Sequence, residues 1–80
     1  MREQAYQSKL IKEYEREGYY VINLIQTNKS GIPDLLCLKP DHILFVEVKT
    51  SIGRPSKLQE YRIRELKKFG FDAIIKKYKK

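Results

Sequence analysis

The sequence is short of the residues that hold zinc or staple a small fold: it has one cysteine, Cys37, and one histidine, His42, among 80 residues. A single thiol makes an intramolecular disulfide impossible, and one Cys with one His cannot assemble a zinc cluster of the usual kind. Cys37 lies inside Leu35-Leu36-Cys37-Leu38, where a small buried hydrophobe is expected. Long apolar runs are missing too. No segment approaches the ~20 residues of a membrane span, and the first ten residues hold nothing resembling a secretory signal. The expectation is a reducing, cytoplasmic setting with no membrane partner. Repeats and low-complexity linkers are also lacking, so residues 1–80 read as a single domain ending in a basic tail at 78–80.

What is present fits a compact fold: 41% apolar and 34% charged residues exclude a disordered tail. A chain this short buries only about 60% of the surface its unfolded form exposes, which leaves it marginal alone and favours a partner subunit. The net charge of +7 is unevenly spread. Residues 1–50 hold seven Lys/Arg against seven Asp/Glu, whereas residues 51–80 hold ten against three. A basic half of this kind is the footprint of a phosphate-backbone partner, or else a solvated lysine-rich helix with a solubilising tail.

Tyr6, Leu10, Ile11 and Tyr14 recur at helical spacing and predict a helix over residues 2–17, stopped by Gly18. Aromatic and β-branched residues predict a strand over 19–25, followed by a loop over 26–33. Asp34–Leu38 and Ile43–Lys49 are apolar runs joined by Lys39-Pro40-Asp41-His42, a hairpin with proline opening its turn. Both runs are apolar on both faces, so the sheet is expected to be covered on each side. After a loop over 50–55, Ser56 caps a second helix that runs to Phe69 and stops at Gly70. Ala73–Lys77 is the last strand, giving the order αβββαβ.

A turn centred on Pro40 and Asp41 pairs residue 39 with 42 and, continuing outward, 34 with 47. Asp34 and Glu47 then face one another with Cβ atoms roughly 4.5–5.5 Å apart. Two such anions repel unless something positive lies between them, and a divalent cation held by carboxylate oxygens at ~2.0–2.1 Å suits the geometry. Lys49 shares the face of Glu47. On residues alone a blander reading stands beside this one: an exposed Glu47–Lys49 pair, with Asp34 accepting backbone hydrogen bonds at a loop end. Against it, Glu47 and Lys49 end an otherwise apolar strand, where charges tend to be paired or functional.

Gly31-Ile32-Pro33-Asp34 followed by Glu47-Val48-Lys49 resembles the P-D…(D/E)-x-K signature of the restriction-endonuclease-like nucleases. Within that superfamily the chain is similar, over nearly all its length, to the stand-alone VRR-NUC (virus-type replication-repair nuclease) domains of phages. The resemblance implies an α/β fold, a restriction-endonuclease-like αβββαβ core with a small mixed sheet flanked by two helices. It implies that Asp34, Glu47 and the Val48 backbone carbonyl ligate Mg²⁺ or Mn²⁺, and that Lys49 orients or deprotonates the attacking water. It also implies hydrolysis of DNA to 5′-phosphate and 3′-hydroxyl ends, by a phage-encoded protein acting inside a host cell. Glu3 matches the family's first-helix acid, binding metal directly or through water; an N-terminal glutamate favoured by the helix dipole is the equal alternative. Gln59 matches the family's glutamine, yet Ser56-x-x-Gln59 is also a capping box.

Candidate DNA contacts are Lys29, Arg54, Ser56 and Lys57 around the site, with Arg62, Arg64, Lys67 and Lys68 further along the second helix. Arg54 is the strongest of them because its loop directly follows the Glu47–Lys49 strand. A homodimer would offer two equivalent sites to a two-fold symmetric substrate such as a Holliday junction. Hence the expectation is a magnesium-dependent, structure-selective endonuclease acting on branched DNA. The alternatives are a non-catalytic nucleic-acid-binding module that keeps the fold and a small basic structural protein.

Overall fold

A computed structural model describes residues 2–78, so Lys79 and Lys80 of the basic tail lie outside the described residues. The elements are α1 (Glu3–Arg16), β1 (Tyr20–Asn23), β2 (Leu35–Lys39), β3 (His42–Lys49), α2 (Lys57–Lys68) and β4 (Asp72–Lys77). They form a mixed four-stranded sheet in the order β1-β2-β3-β4, flanked by two helices. The first two pairings are antiparallel and β3–β4 is parallel. Parallel neighbours need a crossover, and α2 supplies it.

The hairpin register is the one expected from the turn: Lys39 pairs with His42, Leu38 with Ile43, and Leu35 with Val46. Alternation then sorts the strands. Leu35, Cys37, Leu44, Val46 and Val48 point to one face and are buried there under Leu10 and Tyr14 of α1, with Tyr6 and Ile11 packed at the margin. That apolar stripe is why residues 3–16 hold a helix: they gain a core by presenting it to the sheet. Gly18 and Gly70, both at positive φ, end the two helices. At the far end of the sheet the Tyr19 hydroxyl meets His42 Nδ1 at 2.6 Å, and His42 Nε2 meets Asp72 at 2.5 Å. These bonds tie together the starts of β1, β3 and β4.

The opposite face differs from the expectation of full cover. Helix α2 packs chiefly on β4, burying Ile63 and Ala73. It leaves Tyr20, Ile22 and Ile43 exposed over β1, β2 and the start of β3. The strands are apolar on both sides, but only one helix is available for this side and the crossover fixes where it lies. β1 is also shorter than its composition suggests. Leu24 still donates to the Asp34 carbonyl (2.8 Å), but Ile25 turns back on the Asn23 carbonyl (3.0 Å) and leaves the sheet.

Candidate active site

β1 ends, β2 begins and β3 ends at one edge of the sheet, and the charged residues gather there. The β2–β3 ladder stops at Leu35–Val46. One step beyond, Asp34 takes up a backbone group: its Oδ2 accepts from the Val48 N–H at 2.8 Å. So Asp34 does accept a main-chain hydrogen bond, and that bond fixes its carboxylate beside the end of β3. The Val48 side chain is fully buried toward α1, so Val48 can serve this edge only through its backbone.

Glu47 is the unusual residue. It points to the α2 side and is only 2% exposed. Its Oε2 receives Lys49 Nζ at 3.3 Å and Gln59 Nε2 at 3.1 Å. Its Oε1 is buried and has no hydrogen-bonding partner. Burial pushes the Glu47 carboxyl up to about 7. That value already includes the Asp34 charge, which adds to the rise, Lys49, which offsets part of it, and the Glu3 charge, which adds the smallest increment. A buried carboxylate with one oxygen unsatisfied is costly, and natural folds keep such groups where something else binds.

Gln59 makes the contacts of a helix cap and a contact to Glu47 at the same time. Its Oε1 accepts from the Ser56 N–H (2.8 Å) and its backbone N–H donates to Ser56 Oγ (3.1 Å), a complete capping box. Its Nε2 at the same time donates to Glu47. The cap thereby settles which end of the amide faces the carboxylate. Ser56→Ala, which removes the Oγ acceptor, should cost about 1 kcal/mol in urea unfolding. Ser56→Asp should recover most of it, and an alanine variant as stable as the parent would show that the cap contributes nothing.

The remaining sequence candidates separate. Glu3 is exposed at the start of α1 and reaches Glu47 only through its charge. Lys29, Arg54, Ser56 and Lys57 are exposed on the loops and helix start around this edge, with the Ser56 N–H donating and its Oγ accepting in the cap. Arg62 is not a free cation: its Nε donates to the Ser30 carbonyl at 2.9 Å and its guanidinium meets Glu65 at 3.1 Å. It fastens the β1–β2 loop to α2, a role with no signal in the sequence. Gly31 completes that contact, because a Cβ there would stand 2.7 Å from Leu58 Cγ and its φ is +79°. The loop it anchors forms a groove of about 460 Å³ that ends at Asp34 and has Thr27, Lys29 and Ser30 in its wall.

The donor set suits a hard divalent cation. Among the described residues no three His, Cys, Asp or Glu side chains gather into a metal cluster. Two carboxylates and a backbone oxygen, with water filling the remainder, is nevertheless the habit of Mg²⁺. The unsatisfied Glu47 oxygen and the mutual repulsion of Asp34 and Glu47 are the features a cation would relieve.

Comparison with known proteins places these features in context. The profile of the VRR-NUC domain family matches residues 2–77. A solved structure described as a VRR-NUC domain superposes with a TM-score of 0.80 at 31% identity, over 91% of this chain and 81% of that one. Among curated proteins, the UPF0102 protein SPO0400 of Ruegeria pomeroyi is 28% identical over 65 residues, which is 81% of this chain and 53% of that protein. The chain thus spans about half the length of that relative.

Proposed function

Because this chain belongs to the VRR-NUC family of nuclease domains, we propose that it is a magnesium- or manganese-dependent DNA endonuclease, selective for branched structures and acting as a homodimer. The observation that carries this reading is the buried Glu47 carboxylate, paired with Lys49 on one oxygen and unsatisfied on the other, beside Asp34. Such an arrangement is unfavourable in a merely structural domain and useful in one that binds a cation.

Asp34, Glu47 and the Val48 carbonyl are the groups that would hold the metal. When bound, the metal would supply Lewis-acid charge to a phosphoryl oxygen and lower the pKa of water in the site. The chain's own contributions follow from position. Lys49 places a fixed positive charge next to Glu47, where negative charge develops on the scissile phosphate, and its amine can orient the attacking water. Gln59 holds the Glu47 carboxylate in one orientation through Nε2, and is itself held by Ser56. Arg54, Lys57 and Lys29 surround the edge and can take flanking phosphates.

Three arguments support selectivity for branched DNA and a dimer. The chain is small and marginal alone, half of one sheet face is left without a helix, and a two-fold dimer matches a two-fold junction. The test is incubation of the purified protein with labelled linear duplex, flap and four-way-junction DNA, with and without Mg²⁺ or Mn²⁺. Cation-dependent cutting of the branched substrates is expected. Cutting of linear duplex alone would overturn the selectivity. No cutting with either metal would leave a nucleic-acid-binding module that has kept the nuclease fold.

A further inference from the structure

Two isoleucines are more exposed than the fold accounts for. Ile52 is 89% exposed and Ile25 is 84% exposed, the highest values for large apolar side chains among the described residues. Neither lies in a helix or strand. Ile52 occupies the third position of the turn Thr50–Gly53, closed by the Gly53 N–H on the Thr50 carbonyl at 3.1 Å. Turn tips are ordinarily taken by Gly, Asn, Asp or Ser, for reasons of backbone angle and hydration. A β-branched hydrocarbon at such a tip packs on nothing in the free protein.

Their placement is not arbitrary. The β1–β2 loop, which ends in Asp34, and the β3–α2 loop, which follows Glu47 and Lys49, lie at the same end of the sheet. Ile25 lines the groove that ends at Asp34, and the neighbouring Leu24 N–H is bonded to the Asp34 carbonyl. Ile52 stands three residues past Lys49. Each loop also carries an exposed cation, Lys29 in the first and Arg54 in the second. An apolar tip beside a cation suits a ligand that offers flat apolar faces along a line of phosphates.

We propose that Ile25 and Ile52 are wedges that enter the base stack of the nucleic-acid substrate on either side of the scissile phosphate, with Lys29 and Arg54 holding the adjacent phosphates. The proposal rests on the nuclease reading above and gives its selectivity a physical origin. Inserting an apolar side chain between base steps costs unstacking energy, and that cost is least where bases are already unpaired or splayed at a branch. The wedges therefore favour deformable DNA without reading any base edge.

The experiment uses the whole protein in EDTA, so that binding is read without cleavage. The DNA is branched, with 2-aminopurine beside the branch point. Wild-type protein should brighten the probe as the base unstacks. The double variant Ile25→Ala, Ile52→Ala should bind about tenfold more weakly and leave the probe dark at saturation. Ile25→Leu with Ile52→Leu should restore both signals, and the melting temperature should be unchanged throughout because both positions lie on the surface. With Mg²⁺ present, the alanine pair should also lower the ratio of branched to linear cutting. Brightening that survives in the alanine pair overturns the proposal, as does a wild type that leaves the probe dark. A variant that turns monomeric while still brightening the probe also overturns it, by showing that the residues form a subunit contact. Brightening by a wild type that cuts nothing with Mg²⁺ or Mn²⁺ supports the wedges and removes the nuclease reading instead.

Discussion

Lys49→Ala should lower the single-turnover rate of Mg²⁺-dependent cleavage by about 10²–10³-fold while leaving DNA binding within a few-fold of the parent. The expectation follows from where the amine lies. Lys49 Nζ is 3.3 Å from Glu47 Oε2 and largely sheltered from water, so its charge is fixed in a region of low dielectric rather than hydrated on the surface. In the proposed reaction, removing it takes away positive charge where the phosphate gains negative charge. It also leaves Glu47 facing Asp34 with less compensation. Lys49→Arg should recover only part of the rate, because a planar guanidinium does not occupy the position of an ammonium. Rates would be measured on a labelled junction with enzyme in excess, and binding by fluorescence anisotropy in EDTA. An alanine variant that cuts within a few-fold of the parent would remove Lys49 from the chemistry.

Glu47→Gln should do two opposite things: abolish cleavage and stabilise the metal-free protein at neutral and higher pH. The carboxyl is pushed up to about 7 in the folded state from an ordinary value of 4.5. Folding therefore favours the protonated form. The stability that Glu47 contributes is fully present below about pH 4.5 and is lost as pH rises through 7. Glutamine is a neutral isostere of the protonated acid, and its side-chain oxygen can still accept from Gln59. The variant should gain roughly 1–3 kcal/mol over the parent at pH 8, a rise of at least about 4 °C in Tm, with lost pairing to Lys49 trimming the gain. Below pH 4.5 the two proteins should melt alike. Thermal unfolding in EDTA across pH 4–8 checks this, and a glutamine variant less stable than the parent at pH 8 would refute it. A site that stores such a cost in the absence of its ligand is the usual trade of stability for activity.

Much of this arrangement was legible because it depends on local rules. The Pro40–Asp41 turn and the apolar runs on either side set the hairpin register without help from the rest of the chain. That register runs out to Leu35–Val46, one step short of residues 34 and 47. The helices follow from apolar spacing and from Ser56, Gly18 and Gly70. The parts that were not legible depend on distance in sequence. Where α2 lies on the sheet is a matter of crossover geometry, so the open face over β1 and β2 cannot be read from strands that look apolar on both sides. The bonds among Tyr19, His42 and Asp72, and that of Arg62 to Ser30, join residues with no periodic or motif relation. The two ends of the Gln59 amide act separately: the carbonyl end caps the helix while the amino end meets Glu47.

Cys37, the one thiol in the chain, lies on an inner strand with no exposed surface, and burial pushes its pKa up to about 11. Native protein therefore presents almost no thiolate and no path for an alkylating reagent. Reaction at that sulfur requires the β2–β3 sheet to part from α1, which for so small a core means opening of the whole molecule. The residue is thus a built-in clock: its alkylation rate reads the frequency of unfolding without any added label, and any occupant of the candidate site registers there as a slower clock, whether or not it is ever cut.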